Sequence, residues 1–162
     1  MSESIVIIEG TKEQKYKSLL PQVTAIITGE PDRIANMDNI CSALKEQFNW
    51  WWVGFYIVRN DQLVLGPFQG PIACTRIKKG RGVCGTCWAE DRAIIVEDVN
   101  QFPGHIACSS ASQSEIVLPI HYKGEVVAVL DVDSESRSHF DNTDQKYLEM
   151  LIKTLEETMT AE

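Results

Sequence analysis

The sequence predicts an α+β fold, with a central antiparallel sheet and the N- and C-terminal helices packed on one of its faces. Two observations predict it. Apolar residues recur at helical spacing near both ends of the chain, and β-rich runs between them are joined by hairpin-type turns. At 162 residues, with no repeat, low-complexity stretch or linker, residues 1–162 read as a single domain with one core.

Thr11 and Gln14 form a capping-box pattern that starts the first helix. Tyr16, Leu19, Leu20, Val23, Ile26 and Ile27 follow at helical spacing, Pro21 is expected to kink the run, and Gly29 ends it. A second helix starts near Pro31-Asp32 with an apolar stripe of Ile34, Met37, Cys41, Leu44 and Phe48; Cys41, on that stripe, reads as core. Trp50 to Val58, dense in aromatic and β-branched residues, reads as a strand. Its alternation sends Trp50, Trp52 and Tyr56 one way and Trp51, Phe55 and Ile57 the other, mostly into the core. The turn at Arg59-Asn60-Asp61 leads into a short strand, Gln62 to Leu65. Residues 67–82 are Gly- and Pro-rich and read as loop, then come a short helix from Val83 to Asp91 and a strand from Ala93 to Val96. After an irregular stretch, Asn100 to Ser112, strands Glu115 to Tyr122 and Glu125 to Asp133 form a hairpin about Lys123-Gly124. The last helix begins near Asp141 to Thr143 and buries Tyr147, Leu148, Leu151, Ile152, Leu155 and Met159.

Composition excludes several functions. A net charge of -8 argues against a nucleic-acid surface, and the one basic cluster, Arg76, Lys78, Lys79 and Arg81, reads as a solvated loop. No apolar run is long enough to span a membrane, and the first residues lack the pattern of a secretory signal. Five cysteines, odd in number and irregularly spaced, suit free, catalytic or metal-bound thiols in a cytoplasmic protein.

Three of those cysteines, Cys74, Cys84 and Cys108, lie in turn-prone sequence with Cys87 close by. Cys84 follows Gly-Arg-Gly at the expected start of a helix, where the helix N-terminus and Arg81 both favour a thiolate. In the last strand Val127, Val129, Asp131 and Asp133 share one side, with the two carboxylates roughly 7 Å apart, and Glu115 enters the neighbouring strand near the same end. Clustered carboxyls repel, so at least one is expected to keep a proton and serve as an acid, while an ionised one binds an ammonium group. A small cationic or zwitterionic ligand fits such a pocket, and an aromatic wall suits a thioether. His121 and His139 read as surface residues, leaving His105 as the histidine near the candidate site.

A zinc reading competes. Cys84-x-x-Cys87 and His105-x-x-Cys108 offer four ligands in two pairs, although this leaves Cys74 and the carboxylates without a role.

The segments Trp51-Trp52-Val53-Gly54-Phe55-Tyr56, Gly66 to Ile77 and Gly80 to Thr86 carry a family resemblance. So do Phe102 to Cys108, Ser114 to Ile120 and Val129 to Ser134. Together they resemble the GAF-domain free methionine-(R)-sulfoxide reductases. The resemblance implies a GAF-like fold and thiol-dependent reduction of free methionine-(R)-sulfoxide, with no bound cofactor or metal and an external dithiol such as thioredoxin as reductant. It implies catalytic roles for Cys108, Cys84, Cys74 and Glu115, and substrate contacts from Trp52, Tyr56, Glu115, Asp131 and Asp133. Cys108 is the expected nucleophile, with Cys84 or Cys74 resolving its sulfenic acid to a disulfide. Cys87 departs from the family pattern, where a small residue is expected. Helix-mediated homodimers are common among GAF domains. The alternatives are a small-molecule-sensing GAF domain without catalysis and a zinc-stabilised structural domain.

Overall fold

The computed structural model describes residues 4–106 and 111–161. Its elements are α1 (Lys12–Ile27), α2 (Arg33–Phe48), β1 (Trp52–Arg59), β2 (Gln62–Gln69), β3 (Arg76–Lys78), α3 (Gly82–Glu90), β4 (Ile94–Val96), β5 (Ser114–Tyr122), β6 (Glu125–Ser134) and α4 (Asn142–Thr158). The strands form one antiparallel sheet in the order β3-β2-β1-β6-β5-β4, with β1 and β6 at its centre.

Local chemistry sets the helix ends. Thr11 accepts from the Gln14 amide while the Gln14 side chain accepts from Thr11 N–H, so the expected capping box forms. Asp32 caps α2 through the Ala35 amide, and Asp141 caps α4 through the amides of Thr143 and Asp144. The β5–β6 hairpin turns at Lys123 and Gly124, both at positive φ (51° and 79°), the twist-matched geometry of a two-residue hairpin loop.

Because strand side chains alternate, the sheet separates two cores. One face takes Val53 and Phe55 of β1, Ile116, Leu118 and Ile120 of β5, and Ala128, Leu130 and Val132 of β6, all fully buried under α1, α2 and α4. The other takes Trp52, Tyr56, Val117 and Val129, and is covered by α3 with Val83, Cys84, Cys87 and Trp88. Cys41 is buried in the first core, as its place on the α2 stripe predicts.

Several sequence expectations are corrected. The buried face of α2 passes through Asn36, Ile40, Ala43 and Gln47 as well as Met37, Cys41 and Leu44, and leaves Ile34 exposed at its first turn. The strand after the first turn reaches Gln69 instead of ending at Leu65. β3 pairs only with Gln62–Val64, so Pro67 lies on an open stretch of edge, where its missing N–H is tolerated. The basic segment is partly strand β3 and not all loop, although Arg76, Lys78, Lys79 and Arg81 are solvated as expected. Trp50 precedes β1 and belongs to the helix-side core, stacked on Phe48 at 4.5 Å, while Trp51 packs on the opposite side. In β6 the register shifts between Ala128 and Val126, a bulge that sends Val127 to the helix side and Val126 to the α3 side. From Ala128 onward the expected alternation holds.

Candidate active site

Strand register builds the floor of the site. Asp131 lies opposite Gly54 of β1 and Val117 of β5, and Asp133 lies opposite Trp52 of β1 and Glu115 of β5. Asp131, Asp133, Glu115, Trp52 and Tyr56 therefore face the same side. Gly54 sits between the two aromatic positions; a Cβ there would lie 2.4 Å from Phe68 Cβ and 2.5 Å from the Trp52 ring. Its missing side chain lets the Trp52 ring settle between Tyr56 (5.9 Å) and Phe68 (5.3 Å), both stacked on it. Trp52 Nε1 donates to the Pro71 carbonyl at 3.0 Å, and the Tyr56 hydroxyl donates to the Cys74 carbonyl at 2.9 Å. The two rings thus hold the segment that carries Cys74 against the cavity.

α3 supplies the roof and sets the Cys84 thiol 4.0 Å from Glu115 Oε2. The cavity beneath is lined by all five floor residues and Cys84, and also by Arg81, His105, Ile106 and Ser112. Ser112 was not picked out in the sequence; it donates to Asp133 Oδ1 at 3.1 Å, and its place two residues before β5 is the available signal.

Burial dominates the electrostatics. It pushes Glu115 and Asp133 well above the usual carboxyl range, and the charge of Asp131 adds to both shifts. Burial also raises Asp131, but hydrogen bonds from Glu115, Cys84 and Asp133 oppose the rise. Glu115 and Asp133 are thus the carboxyls pushed furthest toward the protonated form, the direction expected of clustered carboxyls. Even so, Asp131 Oδ1 is buried with no hydrogen-bond partner among the described residues. Such an oxygen is ready for a cationic hydrogen-bond donor.

The expected activation of Cys84 is overturned. Although it sits in the first turn of α3, burial comes first and three facing carboxyls next, and together they drive its pKa well above the ordinary thiol value. Cys84, Cys87 and Cys41 are free thiols, whereas Cys74 is disulfide-bonded. Cys108 lies outside the described residues.

The four-ligand zinc arrangement is not what the described residues bring together. The ligand atoms that converge are those of Cys84, Glu115 and Asp131; Cys87 is buried instead in the apolar packing of α3 with Trp88. His105 lines the cavity as anticipated, with burial lowering its pKa. The other histidines are not simple surface residues: His121 contacts Asp91 at 2.5 Å and Glu156 at 3.3 Å, and half-buried His139 shares a hydrogen bond with Ser134 Oγ at 2.8 Å.

Residues 33–159 match the model of the GAF domain. The chain is 57% identical to GAF domain-containing protein A of Dictyostelium discoideum, across 96% of this chain and 99% of that one. It is 44% identical to the free methionine-R-sulfoxide reductase of Escherichia coli, across 91% of this chain and 90% of that one. Among solved structures it is similar to the free methionine-R-sulfoxide reductase of Neisseria meningitidis in complex with its substrate, with a TM-score of 0.95 and 48% identity over 97% of this chain and 95% of that one. The chain belongs to the GAF-domain free methionine-R-sulfoxide reductase family. The cavity of this chain joins a thiol, the buried carboxyls of Glu115 and Asp131, the part-buried carboxyl of Asp133 and an aromatic pair. The curled six-stranded antiparallel sheet with its helices is the GAF fold.

Proposed function

We propose that the protein reduces free methionine-(R)-sulfoxide to methionine in the cavity under α3, with residues 1–162 acting as one unit in the cytoplasm. The observation that carries this reading is the convergence of Glu115, Asp131 and Asp133 with the Cys84 thiol beneath Trp52 and Tyr56. The ammonium group of a free amino acid pairs with Asp131, whose Oδ1 lacks a partner among the described residues. A methionine inside a peptide has no such group and would leave the carboxylate buried and unpaired. The Trp52 ring supplies the wall for the methyl-sulfur end.

Cys108 is the nucleophile in this reading. Ile106 and Ser112, on either side of the stretch that carries it, both line the cavity, while burial and the facing carboxyls push the Cys84 thiol toward its protonated form. The Cys108 sulfur attacks the sulfoxide sulfur, and Glu115, which holds its proton, delivers it to the departing oxygen. The oxygen ends on Cys108 as sulfenic acid and methionine leaves. Cys74 then attacks that sulfur, releasing water and forming a disulfide. The oxidised state of Cys74 beside the free thiol of Cys84 favours Cys74 as the resolving residue. A thioredoxin-like dithiol reduces the disulfide by exchange, and no bound cofactor takes part.

Reduced protein should consume the free R sulfoxide and leave the free S isomer and the peptide-bound form. Cys108→Ser should remove turnover, whereas Cys74→Ser should still release about one methionine per chain in a single turnover without forming the disulfide, read by intact mass. No consumption of the R isomer would reject the reaction; full activity in Cys108→Ser would move the nucleophile to Cys84. A GAF sensor without catalysis would instead hold a metabolite and turn over neither isomer.

A further inference from the structure

Three candidate ligand atoms meet in the same cavity, two of them on carboxyls that the proposed reaction also uses. Cys84 Sγ, a Glu115 oxygen and an Asp131 oxygen all lie within 4.8 Å of one another. Cys84 and Glu115 are 4.0 Å apart, and tetrahedral bonds of about 2.3 Å to sulfur and 2.0 Å to oxygen place such atoms about 3.5 Å apart. Closing that gap takes about half an ångström of side-chain movement. A second observation points to a ligand independently of the cluster: Asp131, only 6% exposed, lines the cavity with Oδ1 lacking a partner among the described residues.

We infer that Cys84, Glu115 and Asp131 form a site for a divalent, borderline-soft cation of the zinc class, and that its occupation shuts the cavity to substrate. The donor set selects the ion. One thiolate excludes calcium and magnesium, which take oxygen shells of six or more, and favours zinc or cobalt with three protein ligands and a fourth position left open. The cation takes Asp131, assigned to the substrate's ammonium group, and Glu115, assigned to the proton transfer, so cation and substrate cannot bind together. That exclusion rests on the reductase reading; metal binding itself does not.

Co2+ is the probe, titrated without oxygen into reduced, metal-free protein. The expected result is one equivalent bound, with a sulfur-to-cobalt charge-transfer band that Zn2+ abolishes by displacement. Cys84→Ser should remove the band, Glu115→Gln should weaken binding at least tenfold, and Cys87→Ala should change neither. Circular dichroism checks that each variant is folded. Absence of the band, or its survival in Cys84→Ser, overturns the site. A band that needs Cys87 and ignores Glu115 overturns it in favour of a Cys84-x-x-Cys87 site. Free methionine sulfoxide should raise the apparent Kd for Co2+ at least tenfold at saturation; unchanged affinity overturns the exclusion. Cobalt binding in protein that reduces no sulfoxide upholds the site and rejects the reductase reading.

Discussion

Under the proposed reaction, the Glu115 carboxyl acts on stability and on turnover in opposite directions. Its proton is held in the folded chain by burial and by the charges of Asp131 and Asp133, whereas in the unfolded chain it is lost near pH 4.3, roughly the value of a free glutamate. A folded pKa above the unfolded one means that the folded state binds the extra proton. The group's contribution is therefore complete below the unfolded value and is lost as pH rises to the folded one. Glu115→Gln escapes that loss. The variant should melt above the parent by a margin that widens as pH is raised from about 4 to neutrality, reaching about 1–3 kcal/mol. Turnover should meanwhile fall on the order of 100-fold or more for want of the acid. Melting curves across pH check the first claim, and a margin that narrows with rising pH would contradict it. The carboxyl cluster was legible because strand alternation fixes which residues share a face, so Asp131, Asp133 and Glu115 could be placed together from sequence. The state of Cys84 was not. Its position in the first turn of a helix is local information, but the burial and charges that override the helix come from β5 and β6, distant in sequence.

At the level of elements, α3 is the part that must be seated correctly, and Gly85 seats it. A Cβ on Gly85 would lie 2.5 Å from the Lys78 carbonyl oxygen and 3.2 Å from the Gly80 amide nitrogen, both backbone atoms that cannot swing aside. The Gly80 amide also donates to the Gly85 carbonyl at 2.9 Å, tying the helix to the turn after β3. Helix propensity favours alanine over glycine by about 1 kcal/mol, but overpacking against fixed backbone costs about 1–3 kcal/mol. Gly85→Ala should therefore destabilise the protein on balance and, by lifting α3, move Cys84 away from Glu115. Urea denaturation checks the sign; a more stable variant would show that the turn yields. Elements with strong periodicity, such as α4 and the β5–β6 hairpin, were read close to their observed bounds. β3 was missed because three residues give no period to detect, and the far half of β2 because Gly66 and Pro67 look like a loop until the open edge beside them is known.

Across the whole molecule the sheet separates two packed faces: α1, α2 and α4 cover one, and the other carries the cavity under α3. The ends of the chain are joined on the first face at Asp144, whose side chain is 1% exposed. It accepts from the Tyr16 hydroxyl at 2.5 Å and from Lys12 Nζ at 2.6 Å, so the first turns of α1 and α4 share one carboxylate. It also accepts from the Asp141 amide at 2.9 Å, completing the cap of α4. Removing a buried partner of this kind costs about 3–5 kcal/mol because the groups left behind lose their hydrogen bonds without regaining water. Asp144→Ala should thus lower the melting temperature by roughly 6–20 °C for a chain of this size, at about 2–4 °C per kcal/mol. The sheet stands between Asp144 and the cavity. Below its own melting transition the variant should therefore keep the parent's KM for the sulfoxide and most of its kcat. A raised KM in fully folded Asp144→Ala protein would mean that the two faces are coupled, and the separation of stability from chemistry across the sheet would have to be abandoned.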